Sequence, residues 1–101
     1  MTWERVLSVP PGEGSATVVI LDGVSILVGV SEGRPWAIED RCSHAACAFS
    51  TDGEIEESVV ICDCHGSEFD LFTGEVLRAP AQDPVRVFAA RIGNDGFQVQ
   101  L

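Results

Sequence analysis

The sequence predicts an all-β chain, an antiparallel β-sandwich with a small subdomain formed by two hairpin loops. Three observations predict it. Gly, Pro, Asn and Asp punctuate the 101 residues about every 8 to 12 positions, the spacing of turns between short antiparallel strands. The intervening runs are rich in Val and Ile, side chains that suit a pleated, half-buried surface. No stretch sustains the 3.6-residue apolar period of an amphipathic helix.

Taken in order, Trp3 to Val9 reads as a first strand, stopped by Pro10, Pro11 and Gly12. Thr17 to Leu21 and Val24 to Val30 flank Asp22-Gly23, a strong hairpin signal because both residues tolerate positive φ. Ser31 to Arg34 turns the chain into a strand over Pro35 to Glu39. Asp52-Gly53 marks another turn, and Ser58 to Ile61 is a strand that ends at Cys62. Glu68 to Leu71 and Glu75 to Leu77 flank Thr73-Gly74, and Val85 to Ile92 pairs with Phe97 to Leu101 across Gly93 to Gly96. The length suits one domain over residues 1–101, with the small subdomain over about residues 41–80.

Composition narrows the function classes. Six arginines and no lysine face sixteen acids, a net charge of −10. Such a chain repels nucleic-acid phosphates; its charge either aids solubility or steers it toward a basic partner surface. No cationic segment followed by an apolar run opens the chain, and no apolar run approaches the length of a membrane span. A cytoplasmic location away from membranes is the expectation. Four cysteines in a cytosolic chain favour metal binding over a disulfide framework.

Every cysteine and histidine falls in one of two short segments, CSHAAC (Cys42 to Cys47) and CDCHGSEFD (Cys62 to Asp70). In an extended segment, residues two apart face the same way, so Cys42 and His44 reach one centre together. In the second segment His65 has two possible partners, Cys62 and Cys64. A turn over Cys62 to His65 brings its first and fourth side chains together, which selects Cys42, His44, Cys62 and His65 as the ligands. Two thiolates with two imidazoles suit Zn(II), or an iron–sulfur cluster in which imidazoles replace two thiolates on one iron. Zinc fingers group cysteines in one half and histidines in the other, whereas each half here mixes one of each. The mixed halves favour the cluster. Trp36 reads as a core residue, and Glu54, Glu56 and Glu57 as a solvated face.

CSHAAC with CDCHGSEFD resembles the two cluster-binding boxes of the Rieske family, written C-x-H and C-P-x-H-G-x-x-F-D. His65, Gly66, Phe69 and Asp70 match the second box position by position. The resemblance implies a β-sandwich Rieske fold with one [2Fe–2S] cluster. It implies that Cys42 and Cys62 hold an inner, buried iron and that His44 and His65 hold an outer iron near the surface. Cys47 and Cys64 stand where high-potential Rieske proteins have a disulfide between the loops. Ser67 matches a serine that donates a hydrogen bond to a bridging sulfide, and Ala79-Pro80-Ala81 matches a proline-containing loop that covers the cluster. Two positions depart from the pattern. Phe69 replaces a tyrosine that bonds to a cysteine sulfur in the high-potential type, and Asp63 replaces the proline, adding a carboxylate and an N–H. Hydrogen bonds to sulfur raise the potential and nearby negative charge lowers it. The expectation is a potential in the low or middle part of the roughly −150 to +300 mV Rieske range.

Small size and the run TGEVLRAPA are similar to the ferredoxin components of bacterial aromatic ring-hydroxylating dioxygenase systems. That likeness implies a one-electron carrier between a flavin-dependent NAD(P)H reductase and a terminal dioxygenase, with transient protein partners and no small-molecule substrate. Rieske oxygenases need a second iron on a 2-His-1-carboxylate triad. Both histidines here are committed to the first site, so the chain is read as a carrier and not as an enzyme. The alternatives are a Rieske-type subunit of another oxidoreductase, such as a nitrite reductase, and a structural zinc module.

Overall fold

A computed structural model describes residues 2–101 of the chain. Among the described residues, ten strands form two antiparallel sheets. They are β1 (Glu4–Leu7), β2 (Ala16–Leu21), β3 (Val24–Ser31), β4 (Arg34–Glu39), β5 (Gly53–Glu56), β6 (Val59–Cys62), β7 (Glu68–Asp70), β8 (Val76–Arg78), β9 (Val87–Gly93) and β10 (Gly96–Gln100). The only helix among the described residues is α1 (Phe49–Asp52).

The larger sheet has the order β1-β10-β9-β4-β3-β2, and the smaller β5-β6-β7-β8. The larger sheet curls until its end strands β1 and β2 touch. Tight hairpins set its register. Asp22 and Gly23 (φ 51° and 78°) join β2 to β3, and Glu32 and Gly33 (φ 56° and 73°) join β3 to β4. Two successive positive-φ residues give the turn whose twist matches the flanking strands.

The near-continuous apolar run in β3 has a physical reason. Strand side chains alternate between faces, and both faces of β3 and β4 are covered. Ile26, Val28, Val30 and Ala37 point inside the curl, against Phe88, Phe97 and Val99. Leu27, Trp36 and Ile38 point outward, into a second core shared with the small sheet through Phe49, Val60, Phe69 and Leu71. Trp36 is a core residue, its indole N–H bonded to Ser31 Oγ at 3.0 Å. Its ring lies across Gly29, where a Cβ would stand 2.4 Å from Cζ2.

The sequence-predicted strands are found with ends shifted by one or two residues, and two elements are new. Phe49–Asp52 is helical and Gly53–Glu56 is a strand, where sequence reading placed only a turn and a solvated face. In β5 the glutamates do face solvent, but Ile55 packs inward against the second core.

Candidate metal centre

The first candidate loop leaves β4 of the larger sheet and runs into α1. It closes through the Cys42 N–H, which donates to the Cys47 carbonyl at 2.8 Å. The second loop is the tip of the β6–β7 hairpin. There the Cys62 N–H donates to the Ser67 carbonyl, and the Gly66 N–H to the Cys62 carbonyl, each at 2.8 Å. Gly66 sits at φ 82°, the left-handed region that glycine enters without steric cost. A Cys47–Cys64 disulfide joins the two loops.

Sulfur and nitrogen donors are segregated by depth. Cys42 and Cys62 are free thiols, each 1 % exposed, in the core that holds Trp36, Phe49 and Phe69. His44 and His65 are exposed. Their rings meet edge to face, with centroids 4.8 Å apart. Burial pushes the Cys62 thiol above its usual range, and the adjacent Cys42 pushes it further, against the opposing pull of backbone N–H groups at Cys64 and His65. Two adjacent buried sulfurs do not both ionise without a cation to hold them. The donor set therefore fits a group with positive metal at its inner end and imidazole ligation at its outer end. The sulfurs of Cys47, Cys62 and Cys64 lie within 4.8 Å of one another, but two of the three form the disulfide and offer no thiolate, so this trio is not the ligand set.

The surrounding residues are placed as follows. Ser67 is fully buried, and its Oγ accepts from the Ala81 N–H at 3.0 Å, leaving its own proton to donate. The same bond anchors the loop that carries Pro80, which follows a cis peptide. Pro80 and His44 line a shallow depression of about 480 Å³ together with Ser43, Gln82 and Asp83, and the Ser43 hydroxyl donates to the Asp83 carbonyl. Phe69 is fully buried and packs edge-on to Phe49, centroids 5.7 Å apart.

Asp63 is a partial correction. Its N–H does not add a donor at the metal centre, because it bonds to the Asp52 carbonyl at 2.7 Å. Its carboxylate faces Glu54, whose carboxyl it raises above the usual range by hydrogen bonding and like charge. Asp70, the last residue of the second box, serves the turn after β7. Its Oδ1 accepts from the N–H groups of Phe72 (2.8 Å) and Thr73 (3.0 Å). Sequence reading missed Asp40, a buried carboxylate two residues before Cys42, because its partner Ser50 lies beyond the loop.

Residues 3–89 match the Rieske [2Fe-2S] domain family. The chain belongs to that family, and a Rieske [2Fe–2S] cluster is its cofactor. It is 33% identical over 95 residues to the biphenyl dioxygenase ferredoxin subunit of Pseudomonas sp. strain KKS102, covering 91% of this chain and 85% of that one. Its fold superposes on the ferredoxin of carbazole 1,9a-dioxygenase from Nocardioides aromaticivorans IC177 with a TM-score of 0.85, at 28% identity over 98% of this chain and 97% of that one. A solved complex of reduced oxygenase and oxidized ferredoxin in carbazole 1,9a-dioxygenase contains a chain similar at TM-score 0.84 and 26% identity, covering 96% of this chain and 91% of that one. The biphenyl dioxygenase relative and the Nocardioides aromaticivorans structure are named as ferredoxins, not as catalytic oxygenases. No helix among the described residues is long and apolar enough to cross a membrane.

Proposed function

We propose that this chain is the electron-carrying ferredoxin of an aromatic ring-hydroxylating dioxygenase system. In this reading it takes one electron at a time from a flavin-dependent reductase and gives it to a terminal oxygenase. Cys42 and Cys62 hold the inner iron, and His44 and His65 the outer one. The observation that carries the reading is the depth segregation: two buried thiols behind two exposed imidazoles whose centroids are 4.8 Å apart. When bound, the cluster supplies reversible one-electron chemistry. The residues do the rest. Cys42 and Cys62 fix it in the apolar core, Ser67 offers a proton to a sulfide, and the imidazoles present the exposed end where a partner docks. The net charge of −10 steers encounter with a basic surface. The naming of similar proteins as dioxygenase ferredoxins, one of them in a complex with its oxygenase, supports the choice of acceptor.

The test is reconstitution. Substrate turnover by a terminal oxygenase and a flavin reductase should depend on added protein that carries about two irons and two labile sulfides per chain. Turnover that proceeds at the same rate without it rejects the role. Within the site, Cys62→Ser should lose iron while Cys64→Ser keeps it. Equal loss from both would reassign the ligands.

A further inference from the structure

We infer that Asp40 is a positioning residue for the metal centre: a buried carboxylate that locks the first ligand loop to α1 and, through α1, to the second loop. The inference rests on the cluster reading above. Asp40 is 8 % exposed, and a buried carboxylate without partners is strongly disfavoured. Its partners are specific. Oδ1 accepts from the Ser50 N–H at 2.9 Å, and Oδ2 from the Ser50 hydroxyl. Its own N–H donates to the Ser25 carbonyl of β3 at 2.9 Å. Asp40 is therefore pinned to the larger sheet by its backbone while its side chain holds the start of α1.

Helix α1 needs an outside acceptor. The residue before it is Ala48, which makes no side-chain cap, and the first amides of a helix have no partner within it. Asp40 supplies from eight residues upstream the acceptor that a capping Ser or Asp supplies locally. The helix passes the constraint on. The Asp52 N–H bonds the Ala48 carbonyl at 2.8 Å, and the Asp52 carbonyl accepts from the Asp63 N–H at 2.7 Å. Asp63 follows Cys62 directly. Hydrogen bonds from β3 to Asp40 and from Asp40 to Ser50, then the short backbone of α1 from Ser50 to Asp52, then the bond from Asp52 to Asp63, thus connect the larger sheet to the second ligand loop. This path joins the two halves of the metal centre independently of both the disulfide and the iron.

Substitutions separate geometry from charge. Asn at position 40 keeps an acceptor for the Ser50 N–H and turns an N–H₂ toward the Ser50 hydroxyl, which then accepts. Ala keeps neither. The experiment measures cluster release from the loaded protein into a ferrous chelator, by loss of visible absorbance, with paramagnetic resonance of the reduced form and thermal melting alongside. Asp40→Ala and Ser50→Ala should each release the cluster roughly ten- to hundred-fold faster, as expected for losing hydrogen bonds to a buried charged group. Asp40→Asn should restore release to within about threefold of the parent, with a more positive midpoint potential because one negative charge is gone. The Asp40→Ala/Ser50→Ala double variant should be no faster than the faster single one, since both break one link. The inference is overturned if Asn releases as fast as Ala, if the two single effects multiply in the double variant, or if release in every variant merely tracks global unfolding. A colourless, iron-free parent protein would instead reject the cluster reading itself.

Discussion

Removing the loop–loop disulfide tests how much of the fold is held by covalent linkage. The perturbation is Cys47→Ser with Cys64→Ser, made together so that no odd thiol remains beside Cys62, whose sulfur lies within 4.8 Å of both. The bridge spans a sequence separation of 17. Opening a loop of that length returns about 3 kcal/mol of chain entropy to the unfolded state. For a domain of this size each kcal/mol lowers the melting temperature by roughly 4–8 °C, so the double variant should melt about 12–24 °C below the parent. The full effect belongs to the metal-free form. If Cys42, His44, Cys62 and His65 hold the cluster as proposed, ligation ties the same two loops in the loaded protein, and the difference should shrink. Calorimetry of both forms, with and without reductant for the parent, measures each quantity. A metal-free double variant melting within about 3 °C of the metal-free parent would refute the reasoning, as would an equal loss in loaded and metal-free forms.

Other outcomes follow from single contacts. Gly74 adopts φ 77°, and a Cβ there would stand 2.2 Å from the Val85 carbonyl oxygen, so Gly74→Ala should cost more than the roughly 1–2 kcal/mol of left-handed backbone alone; urea titration checks it. Ser67→Ala removes the hydroxyl that accepts from Ala81; if that hydroxyl donates to a cluster sulfur as proposed, the midpoint potential measured by protein-film voltammetry should fall. In the metal-free protein, burial and Cys42 hold the Cys62 thiol above its usual pKa. The folded state then keeps a proton that the unfolded state releases, so this contribution is complete below the ordinary thiol pKa of about 8.5 and fades as pH rises through the folded value. Denaturation midpoints should therefore decline as pH rises above the ordinary thiol pKa of about 8.5, and the decline should be smaller in Cys62→Ser.

What could be read from the chain was whatever is local. Asp22-Gly23 and Glu32-Gly33 need positive φ, and few residue types supply it cheaply, so those hairpins stand out in the sequence. The spacing from which the ligand set is proposed is local too, resting on alternation in a strand and one turn of a loop. The unread parts depend on distant partners. Helix α1 has four residues and draws its capping acceptor from Asp40, so no propensity marks it. Strand β5 shows a single inward side chain, Ile55, between outward glutamates, too short a pattern to separate from a loop. The expected start of the β9 strand at Val85 moved to Val87 because the Val85 N–H is taken by the Gly74 carbonyl at 3.0 Å. The donor at Asp63 failed for the same reason: its acceptor, Asp52, arrives on another element.

The two ligand loops spring from different sheets, one leaving β4 and the other turning between β6 and β7. Neither sheet alone brings sulfur from both loops to one place. With the proposed ligands, stable iron capture should require the docked sheets, which would make colour a reporter of completed assembly. A fragment ending before β6, or beginning after β4, should stay pale however well its own strands pair.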